Sequence, residues 1–160
     1  MQRLLTVIFS ISKGLSAISA IMLGGMVLLT VADVILRTTR SPIIGTYEIV
    51  GLLGAIVIGF AIPLSSCLNS HIRVDFAIFR LPSVGRKIIN IATRCVGIGL
   101  FAVIGWNLIL LGTDLRNASE VTPTRHIPYY PILYGIGACC FFECLVLFCD
   151  IVKVCKGEYE

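Results

Sequence analysis

The sequence predicts an all-α integral membrane protein: four transmembrane helices, with a short cytoplasmic surface segment between helices 2 and 3. Two observations carry this. Four long apolar stretches, at about residues 14–36, 49–68, 88–111 and 127–152, occupy most of the 160-residue chain. Each holds roughly the 20 residues needed to cross a hydrocarbon core about 30 Å thick at 1.5 Å of helix rise per residue. The chain is also 57% apolar and only 14% charged, against about 25% charged in soluble domains. A soluble four-helix bundle would show a polar face at helical spacing, yet no charge falls on any face between Ile49 and Leu68. A single membrane domain, residues 1–160, fills the length. No segment is left for a soluble catalytic domain, and no enzyme is expected.

The first stretch ends in Asp33-Val34-Ile35-Leu36-Arg37. It is longer than the apolar core of a secretory signal and lacks a small-residue cleavage site, so it reads as a retained helix. Asp33 and Arg37 stand four residues apart and can meet on one helix face. That pair can serve structure alone or a partner. The turn Ser41-Pro42-Ile43-Ile44-Gly45-Thr46 follows. Thr46 can cap the second helix, and Glu48 falls in its first turn, where the helix dipole favours an anion.

In the third stretch, Arg94 lies just inside the membrane boundary. In the fourth, Glu143 stands well inside, among Phe141, Phe142, Cys144 and Leu145. A charged Glu at that depth needs a partner, and Arg94 enters from the same side. Two readings stand for Glu143: a proton or cation site, or a contact between helices or subunits. The second is favoured, because no second intramembrane carboxylate is read as completing a relay. Glycines along the spans, among them Gly24, Gly51, Gly59, Gly97, Gly105 and Gly137, permit close helix approach in lipid.

Basic residues set the orientation. With four spans, the termini and the central loop share one side, which carries Arg3, Lys13, Arg73, Arg80, Arg86, Lys87, Lys153 and Lys156. The opposite side carries Arg37, Arg40, Arg116 and Arg125. The positive-inside rule therefore places both termini in the cytoplasm, and the net charge of +4 reflects topology. No basic patch interleaved with base-stacking aromatics is present, so nucleic acid is not an expected partner. The seven cysteines include none in the predicted outer loops and no paired CxxC motifs, and they read as inert buried thiols. The longest outer segment, 113–125, mixes Asp114 and Glu120 with Arg116 and Arg125. Mixed rim charges suit a transient partner, because they steer encounter and set orientation. The plainer reading is that the loop only solvates the bundle.

The central loop has the most distinctive local sequence. It runs Ser65-Ser66-Cys67-Leu68-Asn69-Ser70-His71-Ile72-Arg73-Val74-Asp75-Phe76, then Leu81-Pro82. Together with Asp33 to Arg37 and Pro42 to Ile49, it resembles the DctQ-type small membrane subunit of tripartite ATP-independent periplasmic (TRAP) transporters. There, a first helix ending in Arg, a Pro/Gly turn followed by Glu and a His-Ile-x-Val-Asp segment occur in this order. The resemblance implies a bacterial inner-membrane protein that pairs with a large permease subunit as a hetero-dimer, among membrane lipids. The permease would move an organic anion (a sialic acid, another sugar acid or a dicarboxylate) delivered by a periplasmic substrate-binding protein. Sodium coupling is expected in the large subunit, with no cofactor bound by this chain. Asp33, Arg37, Glu48, His71, Arg73, Asp75, Arg94 and Glu143 are then candidate partner or structural contacts. Asp114, Arg116, Glu120 and Arg125 are candidate docking residues for the binding protein. The alternative is a self-contained four-helix proton-coupled exporter. That would need a carboxylate near the middle of the first helix, where Ala17 to Leu29 contain none.

The topology can be tested by cysteine accessibility in a Cys-free background. A membrane-impermeant reagent applied from outside should label cysteines placed at Ser41 and Ser119 and spare one at Asn69. The reverse pattern would overturn the orientation.

Overall fold

A computed structural model describes residues 2–39, 41–68 and 83–156. Its helices are α1 (Gln2–Thr38), α2 (Thr46–Cys67), α3 (Ser83–Asn117) and α4 (Tyr130–Lys156). All four contain stretches long and apolar enough to span a membrane: Thr6–Thr38, Thr46–Cys67, Ile91–Asn117 and Tyr130–Val152. The expected surface segment between helices 2 and 3, with His71, Arg73 and Asp75, lies outside the described residues.

The helices run past several of the apolar stretches. α1 begins at Gln2 and α3 continues to Asn117, because charged and polar residues there end the membrane-like composition without breaking the helix. Arg116 sits in the last turn of α3, where a cation complements the helix dipole. Ser119 then takes a left-handed conformation (φ 52°). This turns the chain so that the Ser119 and Glu120 amides donate to the Arg116 and Leu115 carbonyls at 3.1 and 3.0 Å, satisfying orphan acceptors of the helix end.

The expected Thr46 cap is replaced by a different device. Gly45 is the N-cap, in a left-handed conformation (φ 86°), and no side chain caps the helix. Thr46 is already helical and turns its hydroxyl back to the Ile43 carbonyl (2.8 Å). A glycine at the cap lets the turn reverse tightly at little steric cost.

Spatial order differs from chain order. α1 packs on α2, α2 on α4, and α4 on α3. The inner member α4 is correspondingly the most enclosed: 33% of its most apolar stretch is buried, against 11% in α1 and α3. Each end helix presents one seam. On α1, the buried or half-buried residues Ile8, Ser12, Leu15, Ser19, Met22, Met26, Leu29 and Asp33 alternate steps of four and three, the pattern of left-handed helix pairing. On α3, Arg94, Ile98, Phe101, Gly105, Leu108, Gly112 and Leu115 repeat it. The remaining flanks expose large apolar side chains such as Ile21, Leu28, Val96 and Val103, as a membrane-embedded surface requires.

Small residues set the spacing between helices. A Cβ on Gly105 would meet Phe141, Cys140 and the Gly137 backbone carbonyl at 3.2, 3.3 and 3.4 Å. α3 and α4 therefore approach through facing glycines, which gives dispersion contacts where lipid supplies no hydrophobic drive. Gly59 meets Ile136 in the same way between α2 and α4, whereas Gly24, Gly51 and Gly99 face open space. Gly105→Leu should therefore destabilise the bundle by about 1–3 kcal/mol, as overpacking does. Gly99→Leu should leave its stability nearly unchanged. Thermal unfolding of the two purified variants in the same detergent distinguishes them, and equal losses would contradict the packing described.

Candidate functional site

Polar side chains that bond between elements in the described part of the bundle fall into two constellations. One lies in the half of the bundle that holds the chain termini, called the inner end, and the other ties together the two turns at the opposite, outer end. The inner one links all four helices. On α1, Ser12 has no exposed surface and lies 3.5 Å from Cys67 Sγ in a hydrogen bond. One residue earlier on α2, Ser66 donates its hydroxyl to Glu143 Oε1 on α4. Two turns further along α4, Asp150 accepts from Arg94 Nη2 on α3 at 3.4 Å. Higher on the first seam, Ser19 donates to the Val57 carbonyl of α2 at 2.8 Å.

The pairings differ from those expected. Glu143 is wholly buried, but Arg94 is engaged by Asp150, and the hydroxyl of Ser66 is the group on Glu143. The second oxygen, Oε2, has no hydrogen-bond partner among the described residues. Depth along the helices explains the exchange. Arg94 lies three residues from the inner end of its span at Ile91, and Asp150 two residues from Val152, while Glu143 lies nine residues in. At 1.5 Å per residue, the first two meet at about the same level and Glu143 stands roughly 10 Å higher. A second carboxylate is thus present in the membrane-spanning stretch, contrary to the expectation from sequence. Its ion pair with Arg94 puts it to structural use.

At the outer end, Asp33 is nearly buried and behaves as expected within its own helix, pairing with Arg37 Nε at 2.8 Å. Its other oxygen accepts the Ile43 amide at 3.0 Å, so the same carboxylate also fixes the α1–α2 turn. Glu48 lies in the first turn of α2, but its bonds leave the helix. Its two oxygens accept the backbone amides of Thr124 and Arg125 at 2.9 and 3.2 Å. Arg125 Nε donates in return to the Ile44 carbonyl at 3.0 Å.

The α3–α4 connection is organised around Thr122, which has no exposed surface. Its amide donates to the Ile127 carbonyl (2.9 Å), its own carbonyl accepts from His126 (3.0 Å), and its Oγ1 accepts the Ile127 amide (3.0 Å). The loop, read from sequence either as a mixed-charge docking rim or as a solvating link, is a folded element. Asp114 and Arg116 belong to the end of α3, Glu120 follows its cap, and Arg125 is committed to Ile44. Of the candidate residues, Asp33 and Arg37 come together, Glu48 meets Arg125, and Arg94 and Glu143 stay apart. Ser12, Ser19, Ser66, Thr122 and Asp150 were not singled out in the sequence. Asp150 carried a signal: seven residues after Glu143, it shares a helix face with it. Among the described residues, no group of three or more His, Cys, Asp or Glu side chains is placed to hold a metal ion.

Every inner contact joins two helices of the chain itself, so this constellation fixes the bundle. The Ser66–Glu143 bond can be weighed by a double-mutant cycle of Ser66→Ala and Glu143→Met, the second of which removes the acceptor at similar volume. A coupling of about 0.5–2 kcal/mol is expected, the range for hydrogen bonds between helices in membranes. A coupling of zero would mean that the bond does not hold α2 to α4.

Comparison with known proteins gives the family. Residues 26–157 match the model of the DctQ component of tripartite ATP-independent periplasmic transporters. No curated protein matched the chain, and no solved structure did. The matched region takes in the last third of α1 and all of α2, α3 and α4, together with both constellations except Ser12 and Ser19. The chain belongs to the DctQ family, the small permease subunits of TRAP transporters, and is a multi-pass membrane component of a transport system rather than an enzyme.

Proposed function

We propose that this chain is a stator: it braces the large permease subunit while that subunit carries an organic anion inward with sodium. The anion, a sialic acid, another sugar acid or a dicarboxylate, is delivered by a periplasmic binding protein. The chain sits in the bacterial inner membrane with both termini in the cytoplasm and forms a hetero-dimer with the large subunit.

The observation that supports this reading is how the buried polar groups are used. Ser12, Ser19, Ser66, Asp150 and Arg94 all bond across helix boundaries within the chain. A transport site would hold polar groups ready for the cargo, commonly at discontinuous helices near the midplane. Here they lock four continuous helices together. Membership in a family of tripartite transporter components supports the remaining parts of the proposal, a large permease for the moving site and an exported protein for capture.

Reconstitution tests the proposal. Proteoliposomes with an inward sodium gradient should take up substrate only when this chain, the large subunit and the binding protein are all present. Uptake by this chain alone would reject the stator reading. Full uptake by the large subunit and binding protein without this chain would reject it equally.

A further inference from the structure

Glu143 is the largest side chain in the described bundle with no exposed surface. Its two carboxyl oxygens are placed unequally. Oε1 accepts the Ser66 hydroxyl from α2, whereas Oε2 is buried with no hydrogen-bond partner among the described residues. A buried polar atom left in this way needs a reason, since nearly all such atoms in folded proteins are satisfied. An ionised carboxylate needs donors on both oxygens, because they share the charge and neither is solvated inside a bundle in lipid.

The groups around Glu143 supply no countercharge. Arg94 on α3 is engaged by Asp150 at 3.4 Å. Asp150 itself is seven residues on along α4, roughly 10 Å down the helix axis. The other titratable side chains beside Glu143 on α4 are the thiols of Cys140 and Cys144, and Cys144 turns its Sγ to the Ile98 carbonyl of α3 at 3.6 Å. From α2 comes only the neutral Ser66 hydroxyl. On α1, Lys13 follows the buried Ser12 but is exposed. A metal ion would need several ligands and room beside Oε2. A proton needs neither.

We propose that Glu143 is a resident proton site: its carboxyl is carried as the neutral acid, with the Ser66 hydroxyl on Oε1 and the proton on Oε2. A neutral hydroxyl left unpaired in an apolar interior costs far less than an ionised oxygen left unpaired there, and this difference decides between the two forms. The proton is held and not passed on. The next carboxylate along α4 is Asp150, two turns away and occupied by Arg94. The α2–α4 tie is thus a neutral hydrogen bond that needs no counter-ion in lipid, and the chain takes up its proton as these two helices close over Glu143.

Infrared spectroscopy of the full chain tests this, at neutral pH in bilayers of ether-linked lipid, which lack ester carbonyls. A protonated carboxyl absorbs above the backbone carbonyls, where ionised carboxylates do not. The band should be present in the wild type and absent in Glu143→Gln. Isotope-labelled glutamate should displace it and labelled aspartate should not, a comparison that needs no substitution. Ser66→Ala should move it to higher frequency, because the carbonyl oxygen Oε1 loses its donor. In deuterium oxide the band should exchange as slowly as the backbone amides in the middle of α2 and α4, since those helices must part to admit water. A wild type without the band, or with a band that labelled glutamate leaves in place, would overturn the proposal. An unchanged frequency in Ser66→Ala would overturn the placement of the proton on Oε2. Exchange as fast as that of water-exposed backbone would show that water reaches Oε2 and would overturn the resident site.

Discussion

A helix in lipid gains nothing from hiding apolar side chains against another helix, because the acyl chains are equally apolar. Which face of each helix turns inward must therefore be decided by small residues and by polar groups that lipid cannot solvate. α1 shows this most simply. It packs chiefly on one neighbour, and Ser12, Ser19 and Asp33 all lie on that single seam. Rotating the helix by one residue would swing the seam by about 100° and turn all three toward lipid. Turning a hydroxyl or carboxylate toward acyl chains costs free energy, the more so the deeper it lies. The rotation and register of α1 follow from this penalty.

The same argument applies across the row. Ser66 with Glu143 sets α2 against α4, and Arg94 with Asp150 sets α4 against α3, while Gly105 and Gly137 bring the latter pair close. Each interface thus has its own polar tie, and α4 carries two of them on one face. Breaking a buried ion pair by removing one partner strands the other charge, so these ties resist separation more than they add net stability. A bundle held this way is what the proposed stator role requires.

Hydropathy made the helix count legible because the signal is summed over about twenty residues and every span is charge-poor. Helix ends were less legible. Charge marks the edge of the membrane and not the end of the helix, so Asp114 and Arg116 read as loop although α3 runs on to Asn117. Asp33 with Arg37 was legible because i, i+4 geometry is local. The partner of Glu143 was not, because it depends on α4 being inserted between α2 and α3, an order that no local pattern states. Arg94 went to the wrong carboxylate for the same reason, compounded by passing over Asp150. Counting residues inward from each span's end would have matched Arg94 with Asp150 without any structure.

The outer loop shows a different limit of sequence reading. Arg125 and Glu48 look like exposed charges available for steering, yet both are used on backbone groups, where geometry matters more than sign. Glu48 accepts from main-chain amides, so the tie does not depend on which side chains Thr124 and Arg125 carry. Asp114, Arg116 and Glu120 stay exposed, and the field they set up is screened by salt within about 10 Å. The tie between Glu48 and the Thr124 and Arg125 amides is short-ranged and made of direct hydrogen bonds, so salt weakens it much less. The field of the loop charges and the shape held by Glu48 and Arg125 therefore respond differently to salt. The first fades as ionic strength rises, and the second persists.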